Sequence, residues 1–150
     1  MGELAIRPGR TSDVDVIVEF NIRLARETEA MTLDRALVTA GTRAAVADEH
    51  KGRYFLAEVG GRVVGQLMLT HEWSDWRNGD IWWIQSVYVD AEYRGRGVFS
   101  AIYRHVEAEA KKAGAIGMRL YIERENGSAR KTYERLGMGV KHYDVMEVMF

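Results

Sequence analysis

The sequence contains no cysteine and one proline, and no charge sign or long apolar run dominates its 150 residues. Without cysteine there is no disulfide framework, no thiolate metal ligand and no cysteine nucleophile. The formal net charge of −1 gives no general attraction to nucleic acid or membrane surfaces. No apolar stretch approaches the roughly 20 residues of a membrane span, and the N-terminus lacks a signal peptide's apolar centre. With only four scattered histidines, we expect a cytoplasmic protein without a metal.

The length and the periodic segments predict one domain over residues 1–150, long enough to bury a sizeable core. Apolar spacing alternates between strand-like and helix-like stretches, and no repeat or low-complexity tract interrupts them. The predicted order is β-α-α-β-β-β-α-β-α-β, an α/β (α+β) arrangement. It includes a hairpin across Gly60-Gly61.

The most informative segment is a basic loop with two glycines, Tyr93–Val98. A run rich in β-branched and aromatic residues, Ile81–Val89, precedes it, and apolar residues at helical spacing follow it. A strand, a glycine loop and a helix in this order present free main-chain N–H groups and a positive dipole end to an anion. A phosphate group of a cofactor is the predicted anion, and a plain β-to-α connection is the alternative.

A second signal lies in a later helix. Asn126 or Ser128 can cap its first turn, and Gly137 is placed to end it. Asn126, Ala129 and Tyr133 are three and four residues apart, so they share one face. Packing of that face against a sheet is the simpler interpretation.

Together the loop and the helix resemble the GNAT N-acetyltransferase superfamily, which binds acetyl-coenzyme A. The family's loop pattern falls on Arg94, Gly97 and Phe99, and its helix pattern on the residues from Asn126 to Gly137-Met138. The last loop position is small in most relatives, so Phe99 is a departure. The resemblance implies a mixed, mostly antiparallel sheet flanked by helices, with parallel central strands that splay apart.

The resemblance also implies roles for individual residues. The main chain of Val87–Val89 would hold the pantetheine arm and the acetyl group, and Tyr133 would act as general acid toward the leaving thiolate. Acetyl-coenzyme A is the implied co-substrate. The residues expected to bind it are Val87, Tyr88, Val89, Arg94, Gly95, Arg96, Gly97, Val98, Phe99, Ser100, Asn126 and Tyr133.

The sequence does not identify the general base. Several relatives carry glutamate where this chain has Gln85, and an amide cannot act as a base. The candidate bases are Glu72, which we place first, Asp75, Glu27, Glu29 and His71. An amine that arrives neutral is the alternative. The residues expected to bind the acceptor are Glu27, Glu29, Glu72, Trp73, Asp75 and Trp76.

The four tryptophans, Trp73, Trp76, Trp82 and Trp83, cluster in and after the predicted hairpin loop. Packing in the core and in a lid is the first interpretation, because tryptophans bury large areas. An acceptor pocket with aromatic walls is the second.

The last segment, Met138–Phe150, has room for one strand where the family has two. A missing edge strand would leave main-chain groups unpaired, which favours a homodimer.

The expected function is direct acetyl transfer from acetyl-coenzyme A to a primary amine of a small molecule or peptide, without nucleic acid or membrane partners. The alternative is a catalytically silent module that binds or senses acyl-coenzyme A, which Gln85 and Phe99 favour. A nucleotide-phosphate enzyme is disfavoured, because no Lys-Ser/Thr pair follows the glycines.

Overall fold

The computed structural model describes all 150 residues and contains one sheet and four α-helices. Short 3₁₀ turns, Thr11–Asp13 and Ala91–Tyr93, precede α1 and the glycine loop. No helix is both long and apolar enough to cross a membrane. The strands are β1 (Leu4–Pro8), β2 (Arg53–Val59), β3 (Arg62–Ser74), β4 (Gly79–Val89) and β5 (Gly117–Leu120); the helices are α1 (Val14–Glu29), α2 (Arg35–Ala47), α3 (Val98–Lys112) and α4 (Gly127–Arg135).

The sheet has the order β1-β2-β3-β4-β5, so every strand lies beside its neighbour in the chain. All pairs are antiparallel except β4 and β5, which are parallel. Parallel neighbours need a crossover connection, and α3 provides it. The predicted fold class, a mostly antiparallel mixed sheet flanked by helices, is therefore confirmed.

Helices cover both faces of the sheet. The larger apolar cluster joins Trp82 and Ile84 of β4 to Ile102 and Val106 of α3. On the opposite face, Ile17 of α1 packs with residues of α2 and β2. Each sheet face therefore buries its own layer of side chains, because successive residues of a strand point to opposite sides.

The prediction of a final strand within Met138–Phe150 is wrong. The chain after α4 forms neither helix nor strand, and the sheet ends at β5. Most of the segment's large apolar side chains are exposed, among them Val140, Tyr143, Val145 and Val148. Strand-like spacing indicates that a segment is suited to form a strand. It does not indicate whether the segment pairs with a sheet edge of its own chain.

Candidate active site

Strands β4 and β5 pair at only four positions, from Ile81 opposite Gly117 to Ile84 opposite Leu120. Beyond Ile84, β4 continues to Val89 beside β3, whereas β5 has ended. A wedge therefore opens between the carboxyl ends of the central strands. On the β4 side, the wedge is lined by main-chain groups that do not pair with β5. The predicted parting of these two strands requires such groups.

A β-bulge interrupts β4 where the wedge begins. The register against β3 shifts between Gln66 and Met68, and Ser86 adopts a φ of 50°. This left-handed conformation is uncommon for a residue with a β-carbon. The buried amide of Gln66 fixes it, because Nε2 donates to the carbonyl oxygen of Ser86 at 3.1 Å and to Oδ1 of Asn21 at 2.9 Å. The bulge thus redirects the main chain that follows it.

Ser86→Val is expected to lower the free energy of unfolding by about 2 kcal/mol, because a β-branched side chain disfavours a positive φ. Ser86→Gly is the matched control, since glycine adopts this conformation freely. We expect glycine to leave stability within about 0.5 kcal/mol of the parent, or to raise it. Chemical denaturation would measure both. Equal losses in the two variants would point to the serine hydroxyl and not to the backbone angle.

The glycine loop after β4 forms an open cradle of main-chain groups. Gly95 and Gly97 have φ values of 73° and 79°, and a β-carbon at either would meet nothing within 4 Å. Glycine is therefore needed here for its backbone angle, not for space. The loop leads into α3, whose first turn has no side-chain cap. Its first N–H groups and the positive end of the helix dipole are directed at the loop.

Phe99 directs its ring toward other aromatic residues. The ring centroid lies 6.1 Å from that of Tyr103 and 5.5 Å from that of Tyr133. The large side chain at this loop position is thus engaged between α3 and α4. Its main-chain N–H belongs to the uncapped first turn of α3.

Helix α4 brings Tyr133 to this cluster. Of the two predicted candidates, Asn126 caps the helix, with Oδ1 accepting from the N–H of Ala129 at 3.1 Å. The ring of Tyr133 is half-buried against Phe99, and no hydrogen bond holds its hydroxyl. Burial raises the pKa of Tyr133 above its ordinary value. The phenol therefore keeps its proton through neutral pH and is free to donate it.

Arg94 connects the end of β4 to α1. Its Nε donates to the carbonyl oxygen of Val89 at 2.8 Å, and its Nη2 lies 2.7 Å from Oε2 of Glu27. Its guanidinium also covers the ring of Tyr88 at 5.2 Å. The Arg94 side chain thus fixes the position of the loop relative to α1.

Glu72 lies on the sheet face that α1 and α2 cover. Its Oε1 accepts from Nε1 of Trp83 and its Oε2 from Nη1 of Arg119, each at 2.9 Å. Trp83 in turn packs on Tyr121, with ring centroids 4.6 Å apart. Both carboxylate oxygens are therefore engaged as acceptors.

The model of the acetyltransferase (GNAT) family matches residues 19–138 of the chain. The chain belongs to this family. A crystal structure described as "a possible acetyltransferase" from Clostridium difficile 630 has a TM-score of 0.91 and 45% identity, covering 98% of this chain and 97% of that one. A crystal structure described as a "predicted acetyltransferase with acetyl-CoA" from Clostridium acetobutylicum has the same fold, with a TM-score of 0.81 at 15% identity over 97% and 96% of the two chains.

Among curated GNAT relatives, an uncharacterized N-acetyltransferase of Methanocaldococcus jannaschii is 33% identical over 89 residues, 59% of this chain. The chain spans less than half the length of the curated relatives it matches, 39% in this case.

The hairpin between β3 and β4 lies away from the wedge of this GNAT domain. Trp73 and Trp76 are 62% and 89% exposed, and Asp75 is exposed beside them. The interpretation of these tryptophans as packed side chains is therefore wrong, whereas Trp82 lies in the core. β4 spans about 23 Å from Gly79 to the bulge, and this length separates the hairpin from the wedge. Glu29 is likewise exposed, at the end of α1.

Sequence reasoning missed two residues near the origin of the wedge, Arg119 and Gln66. Trp83 and Arg119 face each other across the parallel pair and meet Glu72. This register was not visible in the sequence. Gln66 could have been found from the sequence, because it is a lone amide within an apolar strand.

Proposed function

We propose that this GNAT chain transfers the acetyl group of acetyl-coenzyme A directly to a primary amine of a small molecule or peptide. The observation that carries the proposal is the wedge between β4 and β5, with its bulge, beside the glycine cradle. Acetyl transfer to an amine needs an anion site for the cofactor, donors toward the thioester carbonyl and an acid for the leaving thiolate. The residues around the wedge supply candidates for all three.

The donor set fits coenzyme A. The main-chain N–H groups of the cradle and of Val98–Ser100 suit a pyrophosphate, and the positive φ values at Gly95 and Gly97 keep the approach open. Arg96, whose guanidinium lies over the ring of Tyr93 at 5.7 Å, adds positive charge. Val87–Val89 provides main-chain groups for the pantetheine arm. When bound, acetyl-coenzyme A supplies the thioester that the amine attacks.

Tyr133 is the proposed general acid. A phenol with a pKa near ~10 can protonate a thiolate whose parent thiol has a pKa near ~8.5, as charge develops on sulfur. Burial raises the pKa of Tyr133, which keeps the proton in place until it is needed. The unbonded hydroxyl supports this role, because a hydroxyl held by the main chain would be a poorer donor.

Glu72 remains the candidate base, but its two hydrogen bonds favour a second role. The Glu72 carboxylate already accepts hydrogen bonds from Trp83 and Arg119. We therefore expect it to hold these two side chains in place beside the acceptor more readily than to take up a proton. Gln85 donates its amide to Oγ1 of Thr70 and offers no base either. An amine that binds neutral needs no base from the protein. Glu27 is tied to Arg94, so any contact with the acceptor would compete with that pair.

The test is release of free coenzyme A from acetyl-coenzyme A in the presence of a panel of small amines and peptides with free amino groups. A thiol reagent reports the release without background, because the protein has no cysteine. We expect turnover with at least one amine and an acetylated product by mass spectrometry. Binding of acetyl-coenzyme A without turnover would instead support the silent binding module. Absence of binding would refute both.

A further inference from the structure

One face of the sheet beside the origin of the wedge is polar and only partly covered. The half-buried residues that share this face are Thr70, Glu72, Trp83, Gln85 and Arg119. Their neighbours on β4, Trp82 and Ile84, point to the opposite face, where they pack with residues of α3. The glycine cradle and Tyr133 lie on the α3 side. The polar face is therefore the side from which an acceptor can approach.

Arg119 has hydrogen-bond donors that the chain itself does not use. Its Nη1 donates to Oε2 of Glu72 at 2.9 Å, and this is the only hydrogen bond that its side chain makes. A guanidinium carries five N–H donors in a planar fork. The side chain is 29% exposed, so its free donors are reachable but partly shielded from water, which strengthens a hydrogen bond to an anion. Arg119 is thus suited to bind a carboxylate.

Glu72 makes this end of the face a better site for an anion than for a second amine. Each of its oxygens already accepts a hydrogen bond, one from Nε1 of Trp83 and one from Arg119. An ammonium group would compete for these oxygens and be repelled by the guanidinium, whereas a carboxylate meets free N–H groups. Because the charges of Glu72 and Arg119 cancel, a singly charged carboxylate is favoured over a doubly charged phosphate.

The other end of the face offers a hydrogen-bond acceptor to an amine. Gln85 immediately precedes Ser86 of the bulge, and its Nε2 donates to Oγ1 of Thr70, but no group donates to its Oε1. An amine beside the wedge can donate an N–H to this oxygen. Between the two ends, the ring of Trp83 packs on Tyr121 with centroids 4.6 Å apart. These rings provide apolar surface for a methylene chain.

The spacing of the two ends sets the length of the acceptor. Gln85 follows Trp83 by two positions on β4, and Trp83 lies opposite Arg119 on β5. From the rise along a strand and the distance between strands, the Cα atoms of Gln85 and Arg119 are about 8 Å apart. An extended 6-aminohexanoate places its amine and its carboxylate at a comparable separation.

We propose that the acceptor is a primary amine that carries a carboxylate at this distance, with the amine held at Gln85 and the carboxylate bound by Arg119. The inference rests on the proposed acetyl transfer and names the class of its acceptor, the ω-amino acids. Arg119 determines specificity by binding the end of the substrate that does not react, and it takes no part in proton transfer.

Steady-state kinetics with amines of matched length tests the proposal. The three amines 6-aminohexanoate, hexylamine and 1,6-diaminohexane share the chain and the reacting amine and differ at the far end. We expect kcat/KM to be about tenfold higher or more for 6-aminohexanoate, because only its carboxylate forms a charge-assisted hydrogen bond with Arg119. Equal values for the three amines would overturn this inference and leave acetyl transfer itself supported.

Variants of Arg119 show whether this side chain causes the preference. In Arg119→Gln, the preference for 6-aminohexanoate over hexylamine should fall about tenfold or more, mainly through KM. Arg119→Lys keeps the charge but lacks the planar fork, so it should give an intermediate value. Arg124→Gln is the matched control, because Arg124 also lies near β5 but is 80% exposed, and it should retain the preference. An equal loss with both amines in Arg119→Gln would assign Arg119 a structural role instead.

Calorimetric titration of 6-aminohexanoate in the presence of coenzyme A measures recognition without turnover. The parent chain should bind it about tenfold more tightly, or more, than Arg119→Gln does. Equal affinities, or no binding to the parent chain, would refute the carboxylate site whatever the turnover assay shows. Binding that depends on Arg119, without turnover of any amine, would refute the proposed acetyl transfer alone. The two proposals therefore fail separately.

Discussion

Replacement of Tyr133 by phenylalanine is expected to lower kcat by about a hundredfold or more, while the affinity for acetyl-coenzyme A stays nearly unchanged. The ring that packs on Phe99 is retained, and the lost hydroxyl makes no hydrogen bond. The free energy of unfolding should therefore hardly change. Steady-state kinetics with the best amine of the panel, together with calorimetric titration of acetyl-coenzyme A, would measure the two effects separately.

Tyr103→Phe is the matched control for this experiment. Tyr103 also packs on Phe99, and burial also raises its pKa, but it is not proposed to act in catalysis. Its replacement should leave kcat close to that of the parent chain. If both variants lost activity equally, the aromatic cluster and not the Tyr133 proton would be responsible.

The pH profile gives a further check on Tyr133. Burial raises its pKa above the ordinary value near ~10, so the acid form persists as pH rises through that value. An alkyl amine becomes neutral as pH approaches ~10.4. The rate should therefore climb with pH and show no decline below about pH 10. A decline beginning near neutral pH would assign the acid role to another group.

Replacement of Gly97 by alanine is expected to weaken acetyl-coenzyme A binding about tenfold. The φ of 79° at this position costs a residue with a β-carbon about 1–2 kcal/mol. The loop can avoid that cost by rotating its N–H groups away from the cradle. Since about 1.4 kcal/mol corresponds to a factor of ten in affinity, the loss should appear in the dissociation constant measured by calorimetry.

Gly114→Ala provides a control on the same helix. Gly114 has a φ of 82° and an equally open environment, but it follows the other end of α3, about 25 Å from Gly97. Its replacement should reduce stability by a similar amount and leave the affinity for acetyl-coenzyme A unchanged. Equal losses of affinity in both variants would show that helix stability, and not the cradle, controls binding.

Local signals in the sequence predicted the elements around the wedge correctly. The glycine loop, the cap at Asn126 and the hairpin at Gly60-Gly61 each depend on residues a few positions apart, and all three are present. These features follow from backbone preferences that neighbouring residues determine.

Features that depend on distant pairing were not predictable in the same way. Arg94 meets Glu27 across 67 positions, and Glu72 meets Arg119 across 47. The segment Met138–Phe150 illustrates the same limit, because its apolar pattern is typical of a strand, but it pairs with no strand. Register and pairing partner are properties of the assembled sheet.

The four-position ladder between β4 and β5 has a mechanical consequence. Nine positions join β3 to β4, but only four rungs join β4 to β5, and they lie at one end of the strands. A molecule that enters the wedge from its open end pushes on β4 and β5 at a distance from these four rungs. Because few hydrogen bonds hold β5, and all of them lie at one end, we expect a small rotation of β5 to change the width of the wedge more easily than any change within β1–β4.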